Sequence, residues 1–338
     1  MYASTNLSNG DKDRPRIWRI RRSHADKTGV KNLRQSAPSA KSAVYSITTK
    51  TLLASSKTPD PWFGIKYTMN LFRGCQHHCI YCDLRSQCYG IADFDGEVLV
   101  KENALDLLRR ELRSKRVKGY VGTGSMNDPY MPVERRLRLT RQALAILAEA
   151  HFPVHVLTKS DLVLRDLDLL TAIDAATRTS TPGAVVSITI TTADDALARQ
   201  LEPSAPPPSA RFAALVGLAE AGICAGVLLM PVLPFLEDDP ANIRAIVERA
   251  ADAGAHHVIP AWGVTLRDRQ RDYFYAQLDQ RFPGVRARYE RAFGERYSAT
   301  SPRAAELETL FGELAARFNL ARTVAPYRAE KAEQLALL

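Results

Sequence analysis

The 338-residue chain has no apolar run approaching the roughly 20 residues that cross a bilayer, and no apolar stretch follows its first residues as a secretion signal would. Both absences exclude a membrane role and place the chain, as an expectation, in the cytoplasm. Cysteine is scarce, with five in the whole chain. A disulfide framework belongs to small secreted chains. Here four of the five crowd between Cys75 and Cys88, a pattern that points to a reducing compartment and a metal. Acidic residues are rare at one end only. Residues 1–50 hold 11 Lys and Arg against 3 Asp and Glu, and so account for 8 of the net charge of +9. That Ser-, Lys- and Arg-rich segment lacks apolar periodicity and reads as a flexible basic arm. With Trp18 set among Arg14, Arg16, Arg19, Arg21 and Arg22, it suits a nucleic-acid backbone, or equally a tail that only keeps the protein soluble.

The most informative run is Arg73-Gly74-Cys75-Gln76-His77-His78-Cys79-Ile80-Tyr81-Cys82, a C-x3-C-x2-C spacing with an aromatic before the third cysteine. Thiolates are soft ligands for zinc or iron–sulfur clusters. A structural zinc wants four ligands, and Cys88, His77 or His78 would have to supply the fourth. Three thiolates can instead hold three irons of a [4Fe–4S] cube and leave one iron open to a substrate or cofactor. Cys224, in the apolar run 222–229, reads as a buried inert thiol.

Downstream, strands and helices alternate. Period-two and β-branched runs predict strands over 65–72, 119–124, 154–158, 184–191, 225–231 and 257–262. Helical spacing falls over 103–114, 140–150, 165–176, 210–221 and 241–253, with a proline-rich loop at 201–208. Such alternation argues for parallel strands with crossover helices. Helical patterns over 266–281, 285–293 and 303–318 follow. The expected organisation is a basic arm over 1–60, an α/β unit over 61–265 and a helical extension over 266–338. In parallel barrels the chemistry collects at the C-terminal strand ends. Those ends carry the three cysteines, then 122–130, Thr158-Lys159-Ser160, Ser187 with Thr189 and Thr191, Glu202, 230–234 and 260–262.

The cysteine run resembles that of the radical S-adenosylmethionine (SAM) superfamily. Asn70-Leu71-Phe72-Arg73-Gly74-Cys75, Asp128-Pro129-Tyr130-Met131-Pro132-Val133-Glu134, Thr158-Lys159-Ser160, Leu164-Arg165-Asp166 and Leu201-Glu202-Pro203 narrow the likeness to the spore photoproduct lyase-like group, over roughly residues 65–265. The resemblance implies a partial (β/α)6 barrel, a [4Fe–4S] cluster on Cys75, Cys79 and Cys82, and SAM bound at the open iron. Tyr81 would pack near the adenine, with Gly122, Thr123, Gly124, Ser125, Asn127, Asp128, Lys159, Ser187 and Thr189 as further SAM contacts. Lys159 offers a charge for the SAM carboxylate, and Ser187 and Thr189 offer hydroxyls for its ribose. An electron from a flavodoxin- or ferredoxin-type donor would cleave SAM to a deoxyadenosyl radical acting on a substrate. Nucleic acid is the expected substrate class, with DNA lesion repair or modification as the reaction. A peptide or small metabolite is the alternative, and a non-catalytic nucleic-acid-binding protein with a structural metal is a third. In the lyase a cysteine after the second strand donates hydrogen, but Val121-Gly122-Thr123-Gly124-Ser125 holds none.

Overall fold

A computed structural model of the chain describes residues 31–32 and 43–329. Most of the basic arm, with its expected flexibility, lies outside the described residues. Two short strands, β1 (Lys31–Asn32) and β2 (Ala43–Ile47), are followed by β3 (Leu53–Ser55), β4 (Ile65–Met69), β5 (Phe72–Arg73) and β6 (Glu97–Lys101). Residues 43–47 and 53–55, grouped with the arm on their sequence, are thus built into sheets. β1, β2, β6 and β5 form a small four-stranded sheet in that order, and β3 pairs antiparallel with β4. Glu97-Val98-Leu99-Val100-Lys101 buries Val98 and Val100 only, the period-two pattern of a half-buried strand.

The main sheet continues through helix α1 (Ala104–Arg113), β7 (Tyr120–Thr123), α2 (Glu134–Leu137), α3 (Leu139–Glu149), β8 (Val154–Thr158) and α4 (Leu167–Thr177). Then come β9 (Ala184–Thr189), α5 (Asp195–Leu201), α6 (Pro208–Glu220), β10 (Cys224–Leu229), α7 (Pro240–Asp252) and β11 (His257–Pro260). Its order is β11-β10-β9-β8-β7-β4-β3, with six parallel strands in chain order and β3 as an antiparallel edge. The sheet is curled. His155 on β8 and His257 on β11 are three strands apart, about 14 Å in a flat sheet, yet their ring centroids stand 6.3 Å from each other. This is the expected partial (β/α)6 barrel.

The first predicted strand breaks at Asn70-Leu71, so that β4 stays in the barrel while β5 crosses to the small sheet and delivers Cys75. After the barrel come β12 (Gly263–Thr265), α8 (Asp268–Arg281), α9 (Val285–Phe293), β13 (Ser298–Thr300) and α10 (Ala304–Arg317). The helical extension is interrupted by β13, which pairs antiparallel with β12 at the end of the α/β unit. Phe274, Tyr275 and Leu278 of α8 and Tyr289 and Phe293 of α9 share one apolar cluster with Cys79, Ile80 and Tyr81, so the cap rests on the cysteine loop. Residues 319–329 return to the barrel's other end. Val258 donates its N–H to the Ala321 carbonyl at 2.9 Å, and Val324 donates to the Trp62 carbonyl at 2.8 Å. Among the described residues no helix is long and apolar enough to cross a membrane.

Candidate active site

Cys75, Cys79 and Cys82 are free thiols at the strand-end face, the first two buried and Cys82 half-buried. Burial pushes each thiol up to about 12, and negative neighbours add to it: Asp128 beside Cys75, Glu202 beside Cys79, and Cys79 beside Cys82. Such thiols ionise only when a cation takes the place of the proton. Among the described residues no three His, Cys, Asp or Glu side chains converge closely enough to hold one metal ion. A structural zinc takes four protein ligands, whereas three thiolates suit a polynuclear iron–sulfur cluster with one iron left open.

The other candidate ligands are engaged elsewhere. His77 is buried: its Nε2 lies 3.1 Å from Asp128 Oδ2 and its Nδ1 3.3 Å from the Ser204 carbonyl. His78 Nδ1 sits 3.0 Å from Asp95 Oδ1. Cys88 is exposed, and its Sγ accepts from Ser86 Oγ at 3.2 Å and from Arg267 at 3.1 Å. Cys224, expected to be buried, is half-buried at the start of β10.

Beside the thiols stands a four-residue charge network. Lys159, at the end of β8, places its Nζ 3.7 Å from Glu202 Oε1 and 5.9 Å from the centroid of the Tyr81 ring. Its ion-pair partner is thus Glu202. Tyr81 donates its hydroxyl hydrogen to Glu202 Oε1, and Arg211 donates to Glu202 Oε2. Burial works against the Glu202 anion, but Arg211 and Lys159 hold the carboxyl below its usual range. Burial likewise opposes the Lys159 cation, while Glu202 and Cys79 raise it. All four groups are charged or hydrogen-bonded, and Lys159 keeps donors to spare.

The segment after β7 serves mainly as a fastening. Gly124 has φ +87°, and a Cβ there would lie 2.1 Å from the Leu157 carbonyl oxygen, so no other residue fits. A Cβ on Gly122 would strike the Ile65 side chain at 2.4 Å, which makes that glycine a packing requirement inside the barrel. Thr123 has a buried hydroxyl without a hydrogen-bond partner. Ser125 Oγ donates to Asn70 Oδ1 at 3.3 Å, and Asn127 Nδ2 donates to the Phe72 carbonyl at 2.9 Å. Asp128 accepts from the Tyr130 N–H at 2.8 Å, Thr158 Oγ1 at 2.7 Å and the Lys159 N–H at 2.6 Å. Burial disfavours its anion, yet His77 and these donors hold the carboxyl down at about 2. Asp128 therefore ties the cysteine loop to the end of β8, and its oxygens are occupied by the protein itself.

Ser187 is not at the strand ends. It is 0% exposed, one layer down, with its Oγ 2.7 Å from both His155 Nε2 and His257 Nε2. His155 Nδ1 lies 2.9 Å from the Phe63 carbonyl, which can only accept, so Nδ1 carries the proton. His155 Nε2 then accepts from Ser187, whose oxygen accepts from His257. This closed network leaves Ser187 nothing for a ribose. Thr189, two residues on, shares the inward face one layer higher and gives its carbonyl to Arg211 at 2.9 Å.

The tertiary structure adds residues that sequence reading passed over. Arg211 lies on the helix after the proline-rich loop, where no sequence pattern marks it as inward-pointing. Glu237 sits in the loop after β10, accepting from Thr191 Oγ1 at 2.7 Å and the Leu233 N–H at 3.0 Å. Burial pushes its carboxyl up to about 8. Glu134 was read as part of a motif, but its carboxylate caps α3 through the Leu139 and Thr140 N–H groups at 2.9 and 3.1 Å.

Comparison with known proteins agrees with this geometry. An uncharacterized protein of Mycobacterium tuberculosis is 33% identical over 234 residues, covering 68% of this chain and 67% of that one. An uncharacterized protein of Methanocaldococcus jannaschii is 35% identical over 177 residues, covering 52% and 63%. Among solved structures, spore photoproduct lyase complexed with dinucleoside spore photoproduct aligns with a TM-score of 0.60 at 18% identity, over 82% of this chain and 80% of that one. A variant of that lyase with bound AdoMet and the same dinucleoside aligns at 0.61 and 16% identity, over 86% and 85%. At these identities the likeness is one of fold. Residues 69–245 match the radical SAM superfamily, whose cofactors are a [4Fe–4S] cluster and SAM, and the chain, an enzyme, belongs to that superfamily.

Proposed function

We propose that Cys75, Cys79 and Cys82 hold the cluster, that Lys159 and Tyr81 receive SAM beside it, and that the radical so produced acts on a nucleic acid. The observation that carries the reading is the meeting of three thiols, two of them buried, with a cationic lysine and an aromatic ring at one barrel mouth. When bound, the cluster and SAM supply a carbon-centred radical by reductive cleavage of the sulfonium. The protein's part is placement. Lys159 offers an ammonium to the SAM carboxylate, and the Tyr81 ring offers an apolar face to the adenine. Asp128 fixes the loop that carries the thiols, and the cap helices α8 and α9 close over it and exclude water. A reductant of flavodoxin or ferredoxin type supplies the electron.

Nucleic acid is favoured by the dinucleoside bound in the lyase of like fold and by the positive arm. Next to the end of β10, a cleft of about 410 Å³ is lined by Phe235, Asp238, Asp239, Arg288 and Arg303. The Arg288 guanidinium lies 4.2 Å over the Phe235 ring, and Arg303 lies 3.9 Å from Asp239 in the same cleft. An arginine stacked on an aromatic ring beside the mouth suits a phosphate. With no cysteine over 121–125, the hydrogen-transfer step differs from that of the lyase.

Two measurements test the reading. The anaerobically reconstituted protein, given SAM and dithionite, is expected to yield 5′-deoxyadenosine; a fully loaded cluster that yields none rejects SAM cleavage. A salt titration of DNA and RNA binding compares the full chain with one lacking residues 1–42. Deletion is expected to flatten the salt dependence by about one unit of slope per lost phosphate contact. If the full chain binds neither at low salt, the substrate is a peptide or a small metabolite.

A further inference from the structure

The proline-rich segment between α5 and α6 touches the cysteine loop three times. Ile80 donates its N–H to the Leu201 carbonyl at 2.9 Å, Ser204 donates to the His77 carbonyl at 3.2 Å, and His77 Nδ1 lies 3.3 Å from the Ser204 carbonyl. Arg211, in the second turn of α6, is 1% exposed and points back into this segment. Its Nε donates to the Pro206 carbonyl at 2.7 Å, one terminal nitrogen to the Thr189 carbonyl at 2.9 Å, and the other to Glu202. One side chain thus joins the end of β9, the proline-rich loop and the Glu202 carboxylate.

A buried ion pair alone contributes little, because desolvation offsets its attraction and apolar residues of like volume often do as well. The Glu202 carboxylate, only 3% exposed, does more than pair with Arg211. Its other oxygen faces the Tyr81 hydroxyl and the Lys159 ammonium. A separation of 3.7 Å from Lys159 is a charge contact looser than a hydrogen bond, so the ammonium is held in place and keeps its donors for a ligand. With one anion between two cations, the group retains one net positive charge.

We infer that Glu202, anchored by Arg211, is a positioning residue that fixes Lys159 and Tyr81 for SAM, and that residues 201–208 clamp the cysteine loop against the end of β9. The inference rests on the reading of Lys159 and Tyr81 as SAM contacts. Proline stiffness suits such a clamp, since Pro203, Pro206 and Pro207 have little backbone freedom to lose. Glu202 also restricts the Lys159 side chain before any ligand arrives, which lowers the ordering cost of binding.

The test is a double-mutant cycle on cluster-reconstituted protein: wild type, Glu202→Gln, Lys159→Met and both together. SAM affinity is read by equilibrium dialysis, together with iron per chain and the change that SAM causes in the electron paramagnetic resonance spectrum of the reduced cluster. Glu202→Gln is expected to keep its iron, lose about tenfold in SAM affinity and weaken the spectral change, because one charge-assisted contact is lost. In the Lys159→Met background the same substitution is expected to cost little, because Glu202 acts through Lys159. Full additivity overturns the inference. So does a Glu202→Gln protein with lowered iron and melting temperature but unchanged SAM affinity in its loaded fraction, which makes the pair purely structural. Should Glu202→Gln fail to fold, Tyr81→Phe removes only the hydroxyl from the network. It is expected to keep its iron and lose SAM affinity, and an unchanged affinity counts against the positioning role. Wild-type protein that carries a full cluster but binds no SAM rejects the underlying SAM reading, an outcome separate from the coupling between Glu202 and Lys159.

Discussion

Two polar clusters lie along the barrel, one at the strand ends and one deeper among the strands, and they are built on opposite rules. The upper one, Lys159 with Glu202, Arg211 and Tyr81, is charged and unfinished, because the Lys159 ammonium still has donors to give. The lower one, His155 with Ser187 and His257, is neutral and closed. Burial pushes His155 down to about 4 and His257 to about 3, so both rings stay uncharged at neutral pH. Gly226 stands between Ser187 and His257 in the strand register, and a Cβ there would lie 2.5 Å from the His257 ring. The missing side chain is what lets serine and histidine meet. A hydroxyl on an inward strand position therefore does not mark a ligand site; the sign of one is a polar group that its neighbours leave incompletely satisfied.

The sharpest way to break this contrast is at the thiols. Single replacement of Cys75, Cys79 or Cys82 by alanine is expected to abolish iron binding and the visible absorbance that goes with it, while Cys88→Ala and Cys224→Ala keep both. Iron analysis of the five variants decides the matter. A Cys88→Ala protein as empty as Cys82→Ala would make Cys88 a fourth ligand.

Next in size, Lys159→Ala is expected to weaken SAM binding roughly ten- to hundredfold, the loss of a charge-assisted contact of about 1.5–3 kcal/mol. Its iron content and melting temperature should barely change. Unchanged SAM affinity would move Lys159 out of the site.

The lower cluster should answer to acid instead. His155 and His257 bind protons more weakly folded than unfolded, so their contribution to stability is complete above the unfolded value of about 6.5. It is lost as the pH falls through that value toward the folded ones, at about 4 and 3. At pH 4 the loss from His155 alone is on the order of 3 kcal/mol. Urea denaturation between pH 7 and 4 should show this slope, and His155→Gln should flatten it. An equally steep slope in the variant would place the acid sensitivity elsewhere.

Smallest of all, Ser187→Ala leaves two buried ring nitrogens without a partner and should cost about 1–3 kcal/mol of stability. SAM affinity is expected to be unchanged. A loss of SAM affinity in this variant would mean that the two layers are coupled, and the comparison would fail.

Much of the fold was legible because its signals are local. Val154–Thr158 and Val285–Phe293 fall where their periodicity puts them, and the cysteine spacing names its own chemistry. β5 and β13, at two and three residues, are too short to carry a period, and they exist only because partners distant in sequence complete their hydrogen bonds. Ser187 and Thr189 read alike in sequence, and only the curl of the sheet separates them, by bringing β11 back to β8 at the lower level. Asp128 was legible as a polar residue after the second strand but not as a strut, because its donors Thr158, Lys159 and His77 come from other segments. What the sequence by itself determined is the list of reactive groups and the strand ends that carry them, since ligand softness, charge and period are properties of residues and their spacing. What only the tertiary structure decided is which of those groups are already satisfied, since a hydrogen bond or ion pair depends on where a second segment lies in space.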